Sequence, residues 1–308
     1  MTGIQRYFLG WEYPFLSTSA KWLQEKYLDE GLGSGNRLLV LVSGQAVVRQ
    51  LQSFFLNEAN KNGRAVEMPT IQTTSQFFKT VLPKHLQIAD QQQVLIATAA
   101  YLRGMDSRKL KPIIGARPIV ETDFTAWCQV AKRVLETNRI AAGGGLTLQR
   151  ETWPQEAQLL LTEDAQKRFD LLHQIQLDVQ SKLAEHNLTQ FEQVQVQLLH
   201  PDSELHIGLM EHIVVVGGSD LSKATTQLLQ RLLGDGVTVD SLIRSPEIHQ
   251  DGFDLCGCIH SEYWLQMNID LHDEDIIVAG SPSAQSVEAV RALSSLQGIT
   301  TTDQIAVI

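Results

Sequence analysis

Ser43-Gly44-Gln45-Ala46 stands at a corner where a phosphate could be held. Leu38 to Val42 is an unbroken run of Leu and Val, the pattern of a strand buried on both faces of a parallel sheet. Val47, Val48, Leu51, Phe54 and Phe55 then recur at helical spacing. Where a strand turns into a helix, backbone N–H groups at the helix N-terminus can bind an anion. Nucleotide hydrolysis needs more: a glycine-rich loop closed by Gly-Lys-Ser/Thr, whose lysine reaches the phosphates and whose hydroxyl holds Mg2+. Gln45 and Ala46 follow Gly44, so neither the lysine nor the adjacent hydroxyl is there. The corner keeps the scaffold and lacks the reacting groups.

Other polar groups could contact a ligand. Met68 to Ser75 reads as a short strand ending at a capped helix that begins near Ser75. Open α/β sheets bind ligands at the C-terminal ends of their strands, so Thr73, Thr74 and Ser75 could hydrogen-bond phosphates. Arg103, Arg108, Lys109 and Lys111 form the densest basic run, either a phosphate contact or a solvated loop. Trp11 and Phe15 fit base stacking and core packing equally well. Ser219-Asp220 could cap a helix or touch a ligand. Cys256-Gly-Cys258 has the wrong spacing for a zinc knuckle, and His249 and His260 do not complete one. His206 and His212 flank a strand and read as surface or edge residues. Gly31-Leu-Gly-Ser-Gly35 precedes its strand and reads as a connector, since a phosphate loop follows its strand.

The chain that must position these groups has 308 residues, enough for two or more domains, with 43% hydrophobic and 19% charged residues. A formal net charge of -10 argues against a surface that is basic throughout, while leaving room for a local basic groove. Three cysteines make no disulfide framework, which points to a reducing cytoplasm. The N-terminal residues do not form a signal peptide, and no apolar run is long enough to span a bilayer.

The pattern along the chain is that of an α/β protein, a parallel sheet flanked by helices, with an inserted all-α subdomain. Residues 1–89 hold the first strands and helices, including an expected helix from Ser17 to Leu28 capped by Ser17 or Thr18. Over 90–205 strand-like runs disappear. Helices are expected over Val94–Leu102, Glu121–Leu135 and Leu159–Glu185, with Gly143-Gly-Gly145 as a flexible link and Asn187 or Thr189 capping one more. Residues 206–268 return to strands, at Ile213–Val216 and Val237–Ile243, around a helix carrying Leu228, Leu229, Leu232 and Leu233. Residues 269–308 begin another strand-turn-helix unit at Ile276–Ala279 and stop in an apolar run, as expected of the N-terminal part of a longer polypeptide.

Five stretches together carry a family resemblance. Leu38 to Arg49, Pro69 to Lys79, and Val214-Val-Val-Gly-Gly-Ser-Asp-Leu221 have the order and spacing of helicase-type motifs. Asp251-Gly-Phe-Asp-Leu-Cys-Gly-Cys-Ile-His-Ser-Glu-Tyr-Trp264 is more specific and resembles a segment of the AddB/RecB-like PD-(D/E)XK nuclease proteins, in particular a planctomycete-type branch. Ile277 to Leu293 resembles the start of the second helicase-like domain of those proteins.

The resemblance implies a P-loop NTPase-like, superfamily-one helicase-like fold in a subunit of an ATP-dependent helicase/nuclease that processes DNA ends in double-strand-break repair. It implies DNA, single-stranded or as duplex ends, and a helicase/nuclease subunit as partners, with an Mg2+-dependent nuclease elsewhere in the parent protein. Ser43 and Gly44 stand where its phosphate loop would begin. Its second motif needs an acid to hold magnesium and water, and this chain offers Gly217 and Gly218 there. The implied nucleotide site is therefore degenerate: Ser43, Gly44, Gln45, Gly217 and Gly218. The nuclease signature of an Asp followed by Asp/Glu-x-Lys has no counterpart beyond Asp273-Glu-Asp275, which lacks the lysine. The expected activity is non-catalytic, without a cofactor in this segment. The expected DNA contacts are Thr73, Thr74, Ser75, Ser219, Arg103, Arg108 and Lys109. A protein-interaction scaffold without nucleic-acid binding is the other expectation.

Overall fold

Residue parity decides how the central strands pack. Successive side chains of a strand point to opposite faces of its sheet. Every residue of β2 (Leu38–Val42) is buried, as are Ile213 to Val216 of β4 (His212–Val216). Leu39, Leu41, Ile213 and Val215 enter one core, and Leu38, Val40, Val42, Val214 and Val216 enter the other. Helices on both faces explain why these runs are continuously apolar rather than alternating. The computed structural model describes residues 3–28, 37–61, 67–115, 119–268 and 277–295. Gly31 to Gly35, Asp273 to Asp275 and Ile305 to Ile308 lie outside the described residues.

Five parallel strands, β1 (Gln5–Phe8), β2, β3 (Thr70–Thr73), β4 and β5 (Thr238–Ile243), lie in the order β1-β5-β4-β2-β3. The sheet is the parallel one that the apolar runs predict. From β2 the chain passes through α2 (Gln45–Lys61), which packs Val48, Leu51 and Phe55 on one face, and runs outward to β3. From β4 it passes through α10 (Lys223–Gly234), which packs Ala224, Leu228, Leu229 and Leu232 on the opposite face, and runs outward to β5. The two connections leave the middle of the sheet in opposite directions. The β2/β4 junction is therefore a topological switch point, the place where open sheets bind ligands.

Between α3 (Thr74–Thr80) and β4 the chain forms α4 (Gln91–Gly104), α5 (Ser107–Ile114), α6 (Phe124–Gly143), α7 (Gln155–Leu159), α8 (Glu163–Ala184) and α9 (Phe191–Gln197). Leu102, Leu110, Trp127, Ala131 and Ile175 centre a separate core built from α4, α5, α6 and α8. The chain enters and leaves this helical layer side by side: the Ala89 N–H donates to the Thr189 carbonyl at 3.0 Å, and the Thr189 N–H to the Gln87 carbonyl at 2.9 Å. Helix α9 lies on the sheet side, with Val194 and Leu198 in the sheet core. Arg231 of α10 holds the segment after α9 against the sheet layer by donating to the Leu198 carbonyl and to Ser203 Oγ, each at 2.5 Å.

Several local expectations are corrected. Helix α1 (Phe15–Leu23) starts after Pro14, so Ser17 and Thr18 are not its cap; their hydroxyls donate to the Pro14 carbonyl at 2.8 and 3.1 Å. The helix passes into a π-turn over Gln24–Leu28. Helix α3 does begin near Ser75 as expected, at Thr74, with Thr73 as its cap. Gly143 to Gly145 is not a link between elements but the closing turn of α6, with Gly145 at φ +74° and the Leu146 N–H returning to the Ala141 carbonyl at 2.9 Å. Asn187 sits at φ 58°, a stop after α8 rather than a start, and Gln190 precedes α9. His212 is no edge residue: it opens the central strand β4. Among the described residues Ile277 to Ala279 forms no strand; α11 (Ser261–Gln266) and α12 (Pro282–Ser295) end the described chain. No helix among the described residues is long and apolar enough to cross a membrane.

Candidate functional site

A cavity of about 90 Å³ opens at the switch point. Leu41, Val42, Val215 and Val216 form its apolar base, Ser43 enters from the end of β2, Thr74 from the start of α3, and Gly217, Gly218, Asp220 and Leu221 from the loop after β4. Parallel strands bring these groups together because all C-terminal ends lie on one edge. Five residues singled out from sequence, Ser43, Thr74, Gly217, Gly218 and Asp220, thus share one crevice.

The glycine pair has its own structural cause. Gly217 has φ +67°, a left-handed backbone that side chains disfavour, and an added Cβ would lie 3.2 Å from Phe15 Cε1. A Cβ on Gly218 would lie 2.7 Å from Val215 Cγ1 and 3.0 Å from the Cys256 carbonyl oxygen. The segment carrying Cys256 is laid across the end of β4 and needs that close approach. Asp254 shapes it: one carboxylate oxygen accepts the N–H groups of Cys256 and Cys258, both at 2.8 Å. Ser241 Oγ donates to the Cys256 carbonyl at 2.8 Å, and the Ile259 N–H donates to the Ser219 carbonyl at 3.1 Å. Burial, and then the Asp254 charge, push the Cys256 thiol up to about 12 and the Cys258 thiol up to about 11. Both stay protonated at neutral pH, which suits packing rather than metal ligation. Among the described residues no three His, Cys, Asp or Glu side chains converge as a metal site.

Other expected residues lie apart from the crevice or are engaged otherwise. Gln45 is exposed at the start of α2, and nothing approaches within 4 Å of a Cβ built on Gly44, so no tight loop closes there. Thr73 is buried, and its hydroxyl lies 3.0 Å from Ser75 Oγ and 3.2 Å from Gln76 Oε1 in the cap of α3. Ser75 and Ser219 are exposed. Neither Ser219 nor Asp220 caps α10: Ser222 does, accepting the Thr225 N–H at 3.2 Å. Arg103 covers the Phe124 ring at 5.8 Å, while Arg108 grips the Asp106 carboxylate at 2.8 and 3.1 Å. Lys109 and Lys111 are exposed on α5, in the helical layer. Phe15 is half-buried in the core, and Trp11 is half-exposed.

Asp220, read from sequence as a helix cap or a ligand contact, lines the crevice because the loop after β4 carries it past the glycine pair. Its carboxylate gives the crevice a negative wall beside two hydroxyls and no cation. Pockets that hold drug-sized ligands measure about 300–1,000 Å³, several times this volume. The crevice can take a water-sized or small polar group and cannot enclose a nucleoside triphosphate.

A second polar centre lies beneath the sheet. Asp240 of β5 is fully buried, and its Oδ2 accepts Tyr27 Oη–H at 2.5 Å and Lys26 Nζ–H at 2.7 Å. The π-turn aims these consecutive residues at one carboxylate. Lys26 Nζ also donates to Tyr7 Oη at 2.5 Å and stands 4.2 Å from the Tyr7 ring and 4.8 Å from the Trp22 ring. Burial lowers the Lys26 pKa, but hydrogen bonds to Asp240 and Tyr7 outweigh it and the net shift is upward. Burial and Asp240 together raise the Tyr27 hydroxyl far above its usual range. The one sequence signal was an Asp in the middle of an apolar strand. No family model matches the chain, and no curated protein matches it.

Proposed function

We propose that the chain is a non-catalytic, helicase-like module that binds DNA and supports a DNA end-processing nuclease, as its resemblance to the AddB/RecB-like proteins implies. The observation that carries this reading is the shared crevice of Ser43 and Gly217 at the β2/β4 switch point, which has neither a cation nor the volume for a nucleotide. DNA contacts fall to exposed polar groups around it, Ser75, Ser219 and the half-buried Thr74, and to Lys109 and Lys111 of the helical layer. Fluorescence anisotropy with labelled single-stranded and forked DNA tests the reading. Affinity should fall by about a hundredfold or more between low and physiological salt, with no DNA-stimulated ATP turnover.

A second reading, a protein-interaction scaffold without nucleic-acid contact, is favoured by the net charge of -10 and by the neutralisation of Arg108 by Asp106. Absence of DNA binding at low salt would decide for it.

A further inference from the structure

An aromatic wall stands at the C-terminal end of β1 and β5, on the same edge of the sheet as the β2/β4 crevice. Trp11, in the loop after β1, stacks on His249 with ring centroids 5.2 Å apart and planes 25° from parallel. His249 packs in turn on Trp264 at 5.4 Å, and its Nδ1 lies 3.2 Å from Tyr263 Oη. Both indoles are fixed by their polar edge: Trp11 Nε1–H donates to the Arg244 carbonyl at 3.0 Å and Trp264 Nε1–H to the Gly252 carbonyl at 2.9 Å. Even so, Trp11 is 50% exposed, and close to it in the chain or to His249 are Tyr13 at 71% and Ile248 at 80%. A large ring held rigidly with an open face can take a ligand with little loss of conformational freedom.

The surroundings of the wall are acidic. Glu12, Glu247, Asp251 and Glu262 are all exposed, and none is ion-paired among the described residues. Arg6 is engaged with the carbonyls of Gln250 and Phe253, both at 2.9 Å. Arg244 alone supplies an exposed cation between residues 244 and 266. An open hollow of about 460 Å³ is lined by His260, Ser261, Glu262, Tyr263 and Gln266. Phosphates laid here would face more carboxylates than cations, Glu12, Glu247, Asp251 and Glu262 against Arg6 and Arg244, whereas a guanidinium or ammonium group is drawn both by an indole face and by the excess of acids around it.

We propose that this surface docks an arginine- and lysine-bearing segment of a partner protein, with one cationic side chain over the open face of Trp11 and a second in the hollow beside Glu262. The proposal is separate from the DNA contacts assigned above, which lie at the ends of β2, β3 and β4 on the same edge of the sheet and on the helical layer, and which use hydroxyls and lysines rather than acids and indoles.

Anisotropy of a labelled peptide of about eight residues, alternating Arg and Gly, is measured against the 308-residue chain. Its Gln-for-Arg counterpart and a labelled oligo-dT serve as parallel probes. The Arg peptide should bind and the Gln peptide should not. Trp11→Ala should weaken binding about tenfold, and Trp11→Phe should restore most of it. The double variant Glu247→Gln/Glu262→Gln, at exposed positions that do not disturb folding, should weaken it several-fold. The proposal is overturned if the Arg peptide does not bind at low salt, if it binds the double variant and Trp11→Ala as well as the parent, or if oligo-dT is the probe whose binding Trp11→Ala abolishes. Loss of DNA binding with peptide binding intact would instead count against the nucleic-acid reading alone.

Discussion

Leu41 and Val215 sit opposite each other on neighbouring parallel strands, in register, though the whole helical layer separates them in the chain. Both side chains point into the same core. Their pairing extends from Leu38 with His212 to Val42 with Val216, and Arg37 pairs with Glu211 at 2.8 Å just before it. The consequence is that Ser43 and Gly217, the next residues along each strand, meet at one crevice. A one-residue slip would exchange the faces of every apolar side chain in β4 and force both cores to repack. The position of the crevice follows from the packing and needs no ligand to create it.

That origin predicts how the three glycines of the region respond to substitution. Gly218→Ala should cost about 1–3 kcal/mol, because the new methyl group meets Val215 and a backbone carbonyl. It should also loosen the Cys256 segment, so that Cys256 and Cys258 react faster with a thiol reagent. Gly217→Ala should cost about 1–2 kcal/mol for its left-handed backbone. Gly44→Ala should be neutral or slightly stabilising, since the space around it is open. Urea unfolding midpoints give all three, and a large cost at Gly44 would mean that a tight phosphate-type loop had been overlooked.

For nucleic acid, the basic residues are not equivalent. Lys109→Ala/Lys111→Ala should weaken DNA binding uniformly across sequences and lower the salt slope by about two. Arg108→Ala should do much less, because Asp106 already neutralises that guanidinium at 2.8 Å. Salt titrations of the two variants decide this. Equal effects would place Arg108 on the DNA and its ion pair among contacts broken on binding.

Much of the sheet was legible from sequence and the polar groups were not, for physical reasons that particular residues show. Leu38 to Val42 and Ile213 to Val216 are buried on both faces, so their apolar runs announced strands without ambiguity. The start of α1 was misplaced because Ser17 and Thr18 hydrogen-bond backward to Pro14 inside the first turn, a role whose composition matches that of a cap. Ser43, Thr74, Gly217 and Gly218 were found because strand ends in a parallel sheet share an edge. Asp240 was missed because its partners, Lys26 and Tyr27, are remote in the chain and depend on a π-turn with no sequence period of its own. The basic run at Arg103 to Lys111 looked like one patch, yet two of its cations are engaged by Phe124 and Asp106.

The Lys26–Asp240 pair should respond asymmetrically to mutation. The Asp240 side chain is 0% exposed and the Lys26 side chain 30%. Asp240→Asn leaves a lysine that can turn its ammonium group toward water, so the cost should be about 1–2 kcal/mol for the lost hydrogen bonds. Lys26→Met leaves a buried carboxylate with only the Tyr27 hydroxyl as donor, and the cost should reach about 3–4 kcal/mol. Replacing both partners, Lys26→Met with Asp240→Leu, should recover part of that loss. Chemical denaturation of the three variants gives the order, and a larger cost for Asp240→Asn than for Lys26→Met would reverse the argument.

Alkaline pH should weaken the fold before it reaches the carboxylate network. Tyr101 lies beside Asp178, and burial together with that carboxylate raises its hydroxyl from 10.0 to about 12. Burial moves the Cys256 thiol from 9.0 to about 12. Both groups have folded values above their unfolded ones, so folding favours the protonated form. The stability each contributes is complete below its unfolded value and is lost as pH rises toward its folded value. Tyr27 and Lys26, also shifted upward, act in the same direction. The urea midpoint should therefore hold steady from neutral pH to about 9 and decline steadily to about 12. Tyr101→Phe should flatten the upper part of the decline, and Cys256→Ala should delay its onset. A midpoint that stays constant through this window, or a decline that both variants leave unchanged, would show that these buried groups exert no such linkage.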